Sequence, residues 1–400
     1  MDRAAATVSP FPGSRVRSRA GLVLTGGGAR AAYQVGVVKA VRDVLGNPRK
    51  NPFPILCGTS AGAINATTLG VLADDFSRAV ANLLEVWENM RCHHIYRTDA
   101  WHITKSGAGW LAAMMLIRRQ APVSLLDNSP LAAMLSRNLP FERIQSNIDA
   151  GTLYALCVTA SGYSSGQSVS FFQGVPGLET WERNSRIGAS VELKLEYLLA
   201  SAALPFIFPA VKVHREYFGD GSMRQIAPVS PALHLGADRV LIVGTGRQTS
   251  GPNADQARAR SNVYPSFAQI AGHALNSIFL DSLAVDIERL ERINRTVKLI
   301  PPDRLADSST RLRPVKVLFI SPSQPIERIA ARFLHELPPT VRFILKPTGA
   351  LNRSGSNLAS YLLFEQSFCR ALIDLGYQDT ISREAEIQEF FAPAEEAAHG

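Results

Sequence analysis

The sequence predicts an α/β fold in which a central, mostly parallel sheet lies between two layers of helices and is followed by a C-terminal helical extension. Three observations support this. Short apolar runs alternate with helix-length segments throughout residues 20–245, as in a parallel sheet with crossover helices. Two of these runs end at glycine-rich turns that lead directly into helical patterns. With 46% hydrophobic residues among 400, the chain also has enough apolar surface for a large core.

The predicted elements follow in chain order. Strands are expected at five apolar runs, namely residues 20–25, 53–57, 152–161, 167–172 and 238–244. Residues 264–296 have the pattern of long helices, residues 315–320 that of a further strand, and the chain from there to Leu375 that of helices again.

The first glycine-rich turn, Gly26-Gly27-Gly28-Ala29-Arg30, lies between the first predicted strand and a helical pattern. Backbone N–H groups in such a turn are free to point at one place, where the helix dipole favours negative charge. This arrangement suits the oxyanion of a tetrahedral intermediate. The alternative is a dinucleotide-binding turn, which requires an acidic residue at the end of a second strand. The nearest candidate, Asp43, lies within the predicted first helix, so the nucleotide alternative is disfavoured.

The second turn is Gly58-Thr59-Ser60-Ala61-Gly62, between the predicted strand at 53–57 and an apolar run. A serine between two glycines at a sharp strand-to-helix turn is typical of a nucleophile elbow. The turn holds the serine in a strained conformation and lifts its hydroxyl clear of the sheet. A Cβ at either glycine would crowd the neighbouring strand and helix. Ser60 is therefore a candidate nucleophile.

A third turn contains Asp220-Gly221, between apolar segments. Taken alone, an Asp in a glycine turn is typical of a plain turn former. The sequence pattern by itself therefore does not assign Asp220 a chemical role.

Together, these motifs resemble the patatin-like phospholipase family. The matching pieces occur in the family's order and are residues 26–30, 58–62, 200–205 with Phe208-Pro209, and 220–221. The resemblance extends over residues 21–243, and residues 317–323 and 364–377 are similar to the C-terminal part of bacterial members. It implies a three-layer α/β/α patatin-like fold. It also implies a lipid acyl hydrolase with a Ser–Asp dyad, an acyl-enzyme intermediate, no catalytic histidine and no cofactor.

Carried over position by position, the resemblance makes Ser60 the nucleophile and Asp220 the base. The other site residues that it implies are, for the oxyanion hole, Gly26, Gly27 and Gly28 with Arg30 in support; for the elbow, Gly58, Thr59, Ala61 and Gly62; and for the loop of the base, Gly221. Two departures are visible. Ala31 stands where the family often has Gly, and Ser222 stands where it often has Gly or Ala. The second departure concerns the geometry of the loop rather than the identity of the base.

The domain organisation follows from these assignments. We expect a disordered leader at 1–19, a patatin-like catalytic domain at 20–245, a mobile loop at 246–262, a C-terminal helical extension packed on the catalytic domain at 263–390, and a frayed tail at 391–400. Segment 101–121 is apolar with aromatic residues and a basic end, as an interfacial lid would be, although an ordinary core helix is the favoured interpretation.

Two alternatives to the dyad remain open. The first is a Ser-His-Asp hydrolase of another fold, in which His234, His273 or His335 completes a triad. The second is a catalytically silent lipid-binding protein. Substitution of the histidines separates the dyad from the triad, and a serine-reactive probe separates an enzyme from a binder.

Charge and composition predict the partners and the location. The net charge of +8 is compatible with contact with anionic phospholipid headgroups and equally with a solvated basic surface that has no partner. The basic residues are not interleaved with aromatic residues as they are in nucleic-acid sites. The four cysteines are scattered and predict buried free thiols, with no metal site. The N-terminus lacks the apolar core of a signal peptide, and the longest uncharged run, 264–280, is too short and polar for a transmembrane helix. We therefore expect a cytoplasmic protein with peripheral membrane contact.

Overall fold

The structure is a computed structural model that describes residues 18–99, 124–246, 264–301, 304–305, 312–352 and 355–392. Its strands, in chain order, are β1 (Ala20–Leu24), β2 (Ile55–Thr59), β3 (Ala155–Gly162), β4 (Ser168–Gly174), β5 (Trp181–Arg183), β6 (Arg186–Ser190), β7 (Val211–Val213), β8 (Glu216–Asp220), β9 (Arg239–Val243) and β10 (Lys316–Ile320). They form a ten-stranded sheet whose main path runs β10-β9-β1-β2-β3-β4-β6-β5.

Helices connect and cover these strands. In chain order they are α1 (Ala32–Val44), α2 (Ala61–Val71), α3 (Phe76–Glu88), α4 (Cys92–Ile95), α5 (Ser129–Asn138), α6 (Glu142–Asp149), α7 (Leu195–Ser201), α8 (Ser230–His234), α9 (Phe267–Asn276), α10 (Ser282–Val297), α11 (Ile326–Phe333), α12 (Pro339–Leu345), α13 (Ser356–Ser360), α14 (Gln366–Ile381) and α15 (Glu384–Phe391). A π-helical segment, Ser277–Asp281, joins α9 to α10.

The middle of the sheet is parallel. Every neighbouring pair in the order β10-β9-β1-β2-β3 runs in the same direction. β1, β2 and β3 are buried along their whole length, as expected for parallel strands that helices cover on both faces. Beyond β3 the sheet becomes mixed, because β4 and β8 both pair with β3 in the antiparallel sense.

Side chains of the central strands alternate between two cores. Leu22 and Leu24 of β1 belong to the core that α1, α2 and α14 cover, whereas Val23 belongs to the core that α8 and α10 cover. This alternation follows from the two-residue repeat of a strand. The result is the predicted three-layer α/β/α arrangement with a mostly parallel sheet.

The C-terminal region is packed against the central layers. Helix α14 lies along α1, and the Tyr33 hydroxyl of α1 donates a hydrogen bond to Asp379 of α14 at 3.0 Å. β10 pairs with β9 and extends the sheet. The region that we expected to be a helical extension therefore also supplies an edge strand, as the apolar pattern at 315–320 indicates.

The predicted strands correspond closely to observed ones. Those at 20–25, 152–161, 167–172 and 238–244 match β1, β3, β4 and β9. β2 begins and ends two residues later than the predicted 53–57, because its ladder with β1 and β3 continues through Gly58 and Thr59. β5, β6, β7 and β8 are not apparent in the sequence pattern, since they are short and carry charged residues.

Several predicted segments lie outside the described residues. They are most of the leader, up to residue 17; the loop from residue 247; the segment 101–121; and the tail from residue 393. All four cysteines lie in the described part and are buried free thiols, as predicted.

One helical stretch among the described residues meets the length and composition of a membrane-crossing helix. Phe267–Val297 spans 31 residues, with a window of mean hydropathy 1.2 of which 25% is buried. Core helices of soluble proteins meet the same criteria, so a single such stretch is weak evidence for a membrane span. Its second half, α10, also carries several charged residues.

Candidate active site

Ser60 lies at the sharp turn between β2 and α2. Its backbone has φ 56° and ψ −130°, a left-handed conformation that is uncommon for a residue with a Cβ. The two flanking glycines permit the close packing of this turn. A Cβ at Gly62 would lie 2.3 Å from the Leu24 carbonyl oxygen, and one at Gly58 would lie 2.5 Å from Ala63 Cα. The start of α2 therefore packs directly on the end of β1, which brings the first glycine turn beside Ser60.

Asp220 reaches the same place through the register of β3. Thr59, the last residue of β2, pairs with Thr159, and Asp220, the last residue of β8, pairs with Ala160. β8 therefore pairs with the same edge of β3 as β2 does, beginning at the next residue after β2 ends. Ser60 and Asp220 are neighbours because both leave the sheet at this junction.

The loop after Asp220 fits tightly over the ends of β2 and β3. A Cβ at Gly221 would lie 2.0 Å from the Thr159 carbonyl oxygen, so only glycine fits there. The Thr59 hydroxyl donates to Gln225 at 2.7 Å and ties the elbow to this loop. Ser222 is accommodated, with its backbone N–H donating to Asp220 Oδ1 at 2.9 Å. The departure from the family pattern at Ser222 therefore does not disturb this hydrogen bond to the carboxyl.

Burial dominates the electrostatics of Asp220. The residue is 0% exposed, and Oδ2 has no hydrogen-bond partner among the described residues. Burial raises the pKa of the carboxyl to about 6, and the Ser60 hydroxyl and the Ser222 N–H and hydroxyl lower it in part. A buried carboxyl oxygen that lacks a partner requires an explanation. A role as the base that receives the proton of Ser60 would be such an explanation.

The first glycine turn faces the elbow. Gly28 has φ +55°, and a Cβ there would lie 2.3 Å from the Tyr361 carbonyl oxygen, so this position requires glycine. The Thr245 hydroxyl donates to the Gly26 carbonyl at 2.6 Å and holds the turn from the other side. Within the described part of the chain, the backbone N–H groups of Gly26, Gly27 and Gly28 donate no hydrogen bond. Of the three residues, Gly28 lines the pocket beside Ser60.

Arg30, at the end of the glycine turn, is buried. Its buried guanidinium donates to Ser360 Oγ at 2.8 Å and Asn276 Oδ1 at 3.2 Å, and lies 3.9 Å from the centroid of the Tyr361 ring. Among the described residues, no carboxylate forms an ion pair with it. Arg30 does not line the cavity beside Ser60. Arg30 therefore links the segment of the turn to α13 and to the end of α9.

An apolar pocket opens from Ser60. Its volume, including the part open to solvent, is about 750 Å³. Gly28, Ser60 and Ala61 lie in its wall, and most other lining residues are aliphatic or aromatic, among them Leu83, Val86, Trp87, Met90, Leu131, Met134, Phe208, Phe279 and Phe364. Such a pocket suits a long hydrocarbon chain whose polar end lies at Ser60.

The three histidines of the triad alternative lie elsewhere. His234 stacks on Trp181 at a centroid distance of 4.7 Å, and His273 and His335 are exposed. None of the three lines the pocket. Among the described residues, no group of three or more His, Cys, Asp or Glu side chains could hold a metal ion. The geometry therefore favours Ser60 with Asp220 over a Ser-His-Asp triad.

Comparison with known proteins assigns the chain to a family. The family model described as Patatin-like phospholipase matches residues 22–233, more than half of the chain. The chain belongs to the patatin-like phospholipase family. The matched range contains the glycine turn, the elbow and Asp220, so each of these motifs lies within the family's domain.

One curated relative in this family is a cGAMP-activated phospholipase from Pseudomonas aeruginosa. It is 28% identical over 213 residues, which are 53% of this chain and 55% of the relative. The chain thus matches about half of that protein's length. The C-terminal region described above lies beyond the family match.

Two solved structures are similar in part. Human GIVD cytosolic phospholipase A2 in complex with methyl gamma-linolenyl fluorophosphonate is 13% identical with a TM-score of 0.44, over 94% of this chain and 58% of that one. VipD from Legionella pneumophila is 12% identical with a TM-score of 0.32, over 86% of this chain and 67% of that one. Because these scores are low, membership of the patatin-like family rests on the sequence match.

Several site residues have no clear signal in the sequence. Phe279 and Tyr361 stack at 5.2 Å and close one wall of the pocket, although they come from distant segments. Ser201 hydrogen-bonds to the backbone of Ser60. The motif at 200–205 marks the neighbourhood of Ser201, but its contact with Ser60 depends on tertiary packing.

Proposed function

We propose that this protein is a serine lipid acyl hydrolase of the phospholipase A or lysophospholipase type that uses Ser60 and Asp220 as a dyad. One observation carries the proposal: the buried carboxyl of Asp220 lies beside the strained Ser60 at the end of an apolar pocket, and one of its oxygens has no hydrogen-bond partner among the described residues. Membership of the patatin-like family supports the same reaction class. No cofactor is required for this chemistry.

In the acylation step, Asp220 accepts the proton of the Ser60 hydroxyl as Oγ attacks the ester carbonyl carbon. The tetrahedral intermediate collapses when the alcohol oxygen leaves and takes this proton from Asp220. The products are a free alcohol and an acyl group bound through an ester to Ser60.

In the deacylation step, water replaces the alcohol. The water oxygen attacks the acyl carbonyl carbon while Asp220 accepts a proton from the water. Ser60 Oγ then leaves and takes the proton back, so that a fatty acid is released and both residues return to their starting states.

The backbone amides of Gly26, Gly27 and Gly28 are the proposed donors to the oxyanion in both steps. They are unpaired within the described residues. Of the three, Gly28 lines the pocket together with Ala61 at the start of α2, whose amide is a further proposed donor. The buried positive charge of Arg30, next to this turn, further favours negative charge there.

The apolar pocket supports an acyl lipid as the substrate. Its wall offers few hydrogen-bonding groups away from Ser60, so it would discriminate by hydrocarbon length and shape rather than by polar contacts. We infer that the acyl chain occupies the pocket and that the headgroup lies outside it.

A fluorophosphonate with a long alkyl chain provides the direct test. Its phosphorus should react with Ser60 Oγ, so one adduct is expected, on the peptide that contains residue 60, in intact-mass and peptide analysis. The Ser60→Ala variant is the control and should remain unlabelled. Phospholipid hydrolysis should be measured in parallel with and without cGAMP, because the Pseudomonas relative is activated by that nucleotide. A folded wild-type protein that is neither labelled nor active under either condition would favour the lipid-binding alternative.

Membrane contact is the second part of the proposal. Phe267 and Ile270, in the first turn of α9, are 65% and 51% exposed, and their spacing of three residues places them on one face of the helix. Tyr264, just before the helix, is 87% exposed. The same helix leads into the π segment that carries Phe279 into the pocket. We infer that this face rests on the lipid surface from which the substrate enters.

We expect faster hydrolysis on anionic vesicles than on neutral ones, and added salt should reduce the gain because exposed charges are screened over about 10 Å at 0.1 M. Phe267→Asp should lower hydrolysis of vesicle lipid at least about fivefold, because it removes an apolar anchor and adds a charge that anionic lipid repels. Its rate on a soluble p-nitrophenyl ester should stay within about twofold of wild type.

Leu299→Asp is the matched control for this variant. Leu299 is 84% exposed but lies beyond the far end of α10, a 16-residue helix about 24 Å long. Equal losses in the two variants, or equal rates on neutral and anionic vesicles at low salt, would contradict a specific contact through α9.

A further inference from the structure

One short segment holds the backbones of both proposed catalytic residues. The Ser201 hydroxyl, at the end of α7, accepts a hydrogen bond from the Ser60 N–H at 2.8 Å. It donates a hydrogen bond to the Thr159 carbonyl of β3 at 2.6 Å. Two residues further on, the Ala203 carbonyl accepts a hydrogen bond from the Asp220 N–H at 2.9 Å. Residues 201–203 therefore contact the nucleophile and the base at the same time.

The Ser60 amide needs such a partner. β2 ends at Thr59, so the strand ladder no longer satisfies the next N–H, and the first amides of α2 have no acceptor within the helix. Ser60 is only 6% exposed, so water does not readily reach the group. The Ser201 hydroxyl extends the hydrogen-bonded link between β2 and β3 by one residue past the end of β2.

The same hydroxyl stabilises the strained conformation of Ser60. A residue with a Cβ keeps φ 56° only where its surroundings impose it. On one side, the Ser60 carbonyl accepts from the Ala63 N–H at 2.9 Å, and on the other its N–H is fixed by Ser201. Without the second contact, the peptide plane before Ser60 could rotate and change the direction of its side chain.

Ser201 acts at a distance from the reacting atoms. It is 0% exposed and does not line the pocket, whereas Ala202 and Leu204 on either side of Ala203 do. It therefore has no route to the substrate. We propose that Ser201 is a positioning residue, whose hydroxyl aims Ser60 Oγ at the Asp220 carboxyl while the Ala203 carbonyl fixes the base. This inference rests on the proposed function.

The proposal predicts an effect on the rate of the chemical step rather than on substrate binding. Ser201→Ala should lower kcat by about 10- to 100-fold on a soluble ester, because a small misplacement of a reacting atom has an effect of this size. KM should stay within about twofold, since the pocket wall is unchanged. The rate of fluorophosphonate labelling at Ser60 should fall in proportion to kcat. Ser201→Thr, which retains the hydroxyl, should recover most of the lost rate.

Thr380→Ala is the matched control. The Thr380 hydroxyl is also fully buried and bonds to a backbone carbonyl, that of Gly376 at 2.7 Å, but it lies in α14, which contributes no residue to the pocket. This variant should have wild-type kcat. If Ser201→Ala does not fold, Ser201→Cys replaces it, because a thiol of similar size is a weak donor and acceptor and should give the same loss of kcat.

The outcomes separate this inference from the proposed function. Wild-type protein that neither hydrolyses esters nor reacts at Ser60 would overturn the proposed function. Activity that is lost in Ser60→Ala but retained at the wild-type rate in folded Ser201→Ala or Ser201→Cys would overturn the positioning role alone. A loss in Thr380→Ala as large as that in Ser201→Ala would also overturn it, because any buried hydroxyl would then suffice.

Discussion

Asp220→Asn should lower kcat by roughly a thousandfold or more, because the amide keeps the size of the side chain but cannot accept the proton of the Ser60 hydroxyl. In the wild-type protein, activity should fall on the acid side around pH 6, where the buried carboxyl, with its pKa raised to about 6, becomes protonated. That acid limb should be absent from any residual activity of the Asn variant. The profile is measured on a soluble ester, so that vesicle charge does not contribute.

Asp286→Asn is the control for this substitution. Burial also raises the pKa of Asp286, which accepts a hydrogen bond from the Val229 N–H at 2.9 Å, but the residue lies on α10, which covers the core on the other side of the sheet, and does not line the pocket. The Asp286→Asn variant should retain the wild-type kcat and the loss of activity on the acid side of the pH profile. A folded Asp220→Asn protein with most of the wild-type rate and the same limb would show that another group is the base.

The raised pKa of Asp220 also has a consequence for stability. The carboxyl binds its proton more tightly in the folded state, with a pKa of about 6, than at the ordinary value of 3.8. The contribution of this carboxyl to the free energy of unfolding is therefore fully present below about pH 4 and is lost as the pH rises through 6. The difference is on the order of 3 kcal/mol. Asp220→Asn avoids this loss. Its Tm at pH 8 should equal or exceed that of wild type, with the difference shrinking toward pH 4.

Ser60→Ala should abolish ester hydrolysis, since it removes the nucleophile from the elbow while the fold stays intact. Alanine keeps the Cβ and therefore the strain at φ 56°, so the free energy of unfolding should change by less than about 1 kcal/mol. Turnover of a p-nitrophenyl ester and the midpoint of urea unfolding are the two measurements. Near wild-type turnover by the purified variant would contradict the assignment of Ser60.

Ser60→Gly extends this experiment to the strain itself. Glycine adopts positive φ without the steric conflict, so this variant should be inactive but more stable than Ser60→Ala by roughly 1 kcal/mol. Equal stability of the two variants would indicate that the elbow stores little strain.

The local elements of the candidate site could be predicted from the sequence. The turn at residues 26–30 and the elbow around Ser60 each combine a strand, a glycine turn and a helix within a few residues, and these patterns alone indicated an oxyanion hole and a nucleophile. Asp220 is different. Its own segment resembles a plain turn, and its role came from the family resemblance, because the pairing of β8 with β3 is set by contacts between distant parts of the chain.

The remaining contacts depend on tertiary packing. Phe279 and Tyr361 meet over the pocket although 81 residues of the chain lie between them. The hydrogen bond of Ser201 requires that α7 end beside β2 and β3. Neither hydrophobic periodicity nor turn chemistry contains this information, since both describe only neighbours in sequence.

β2 and β8 pair one after the other with the same edge of β3, so this strand sets the spacing of the candidate active site. Since its five residues opposite β2 are followed directly by its three residues opposite β8, the proposed nucleophile and the proposed base are spaced by strand geometry, at about 3.3 Å per residue. The long connections between β2, β3 and β8 can therefore vary in length and sequence without changing that spacing. A slip of one residue in β3 would instead turn every side chain of the strand to the opposite face and separate the pair. Variation among related proteins should accordingly collect in the connections, and the pairing of β3 should be the feature that resists it.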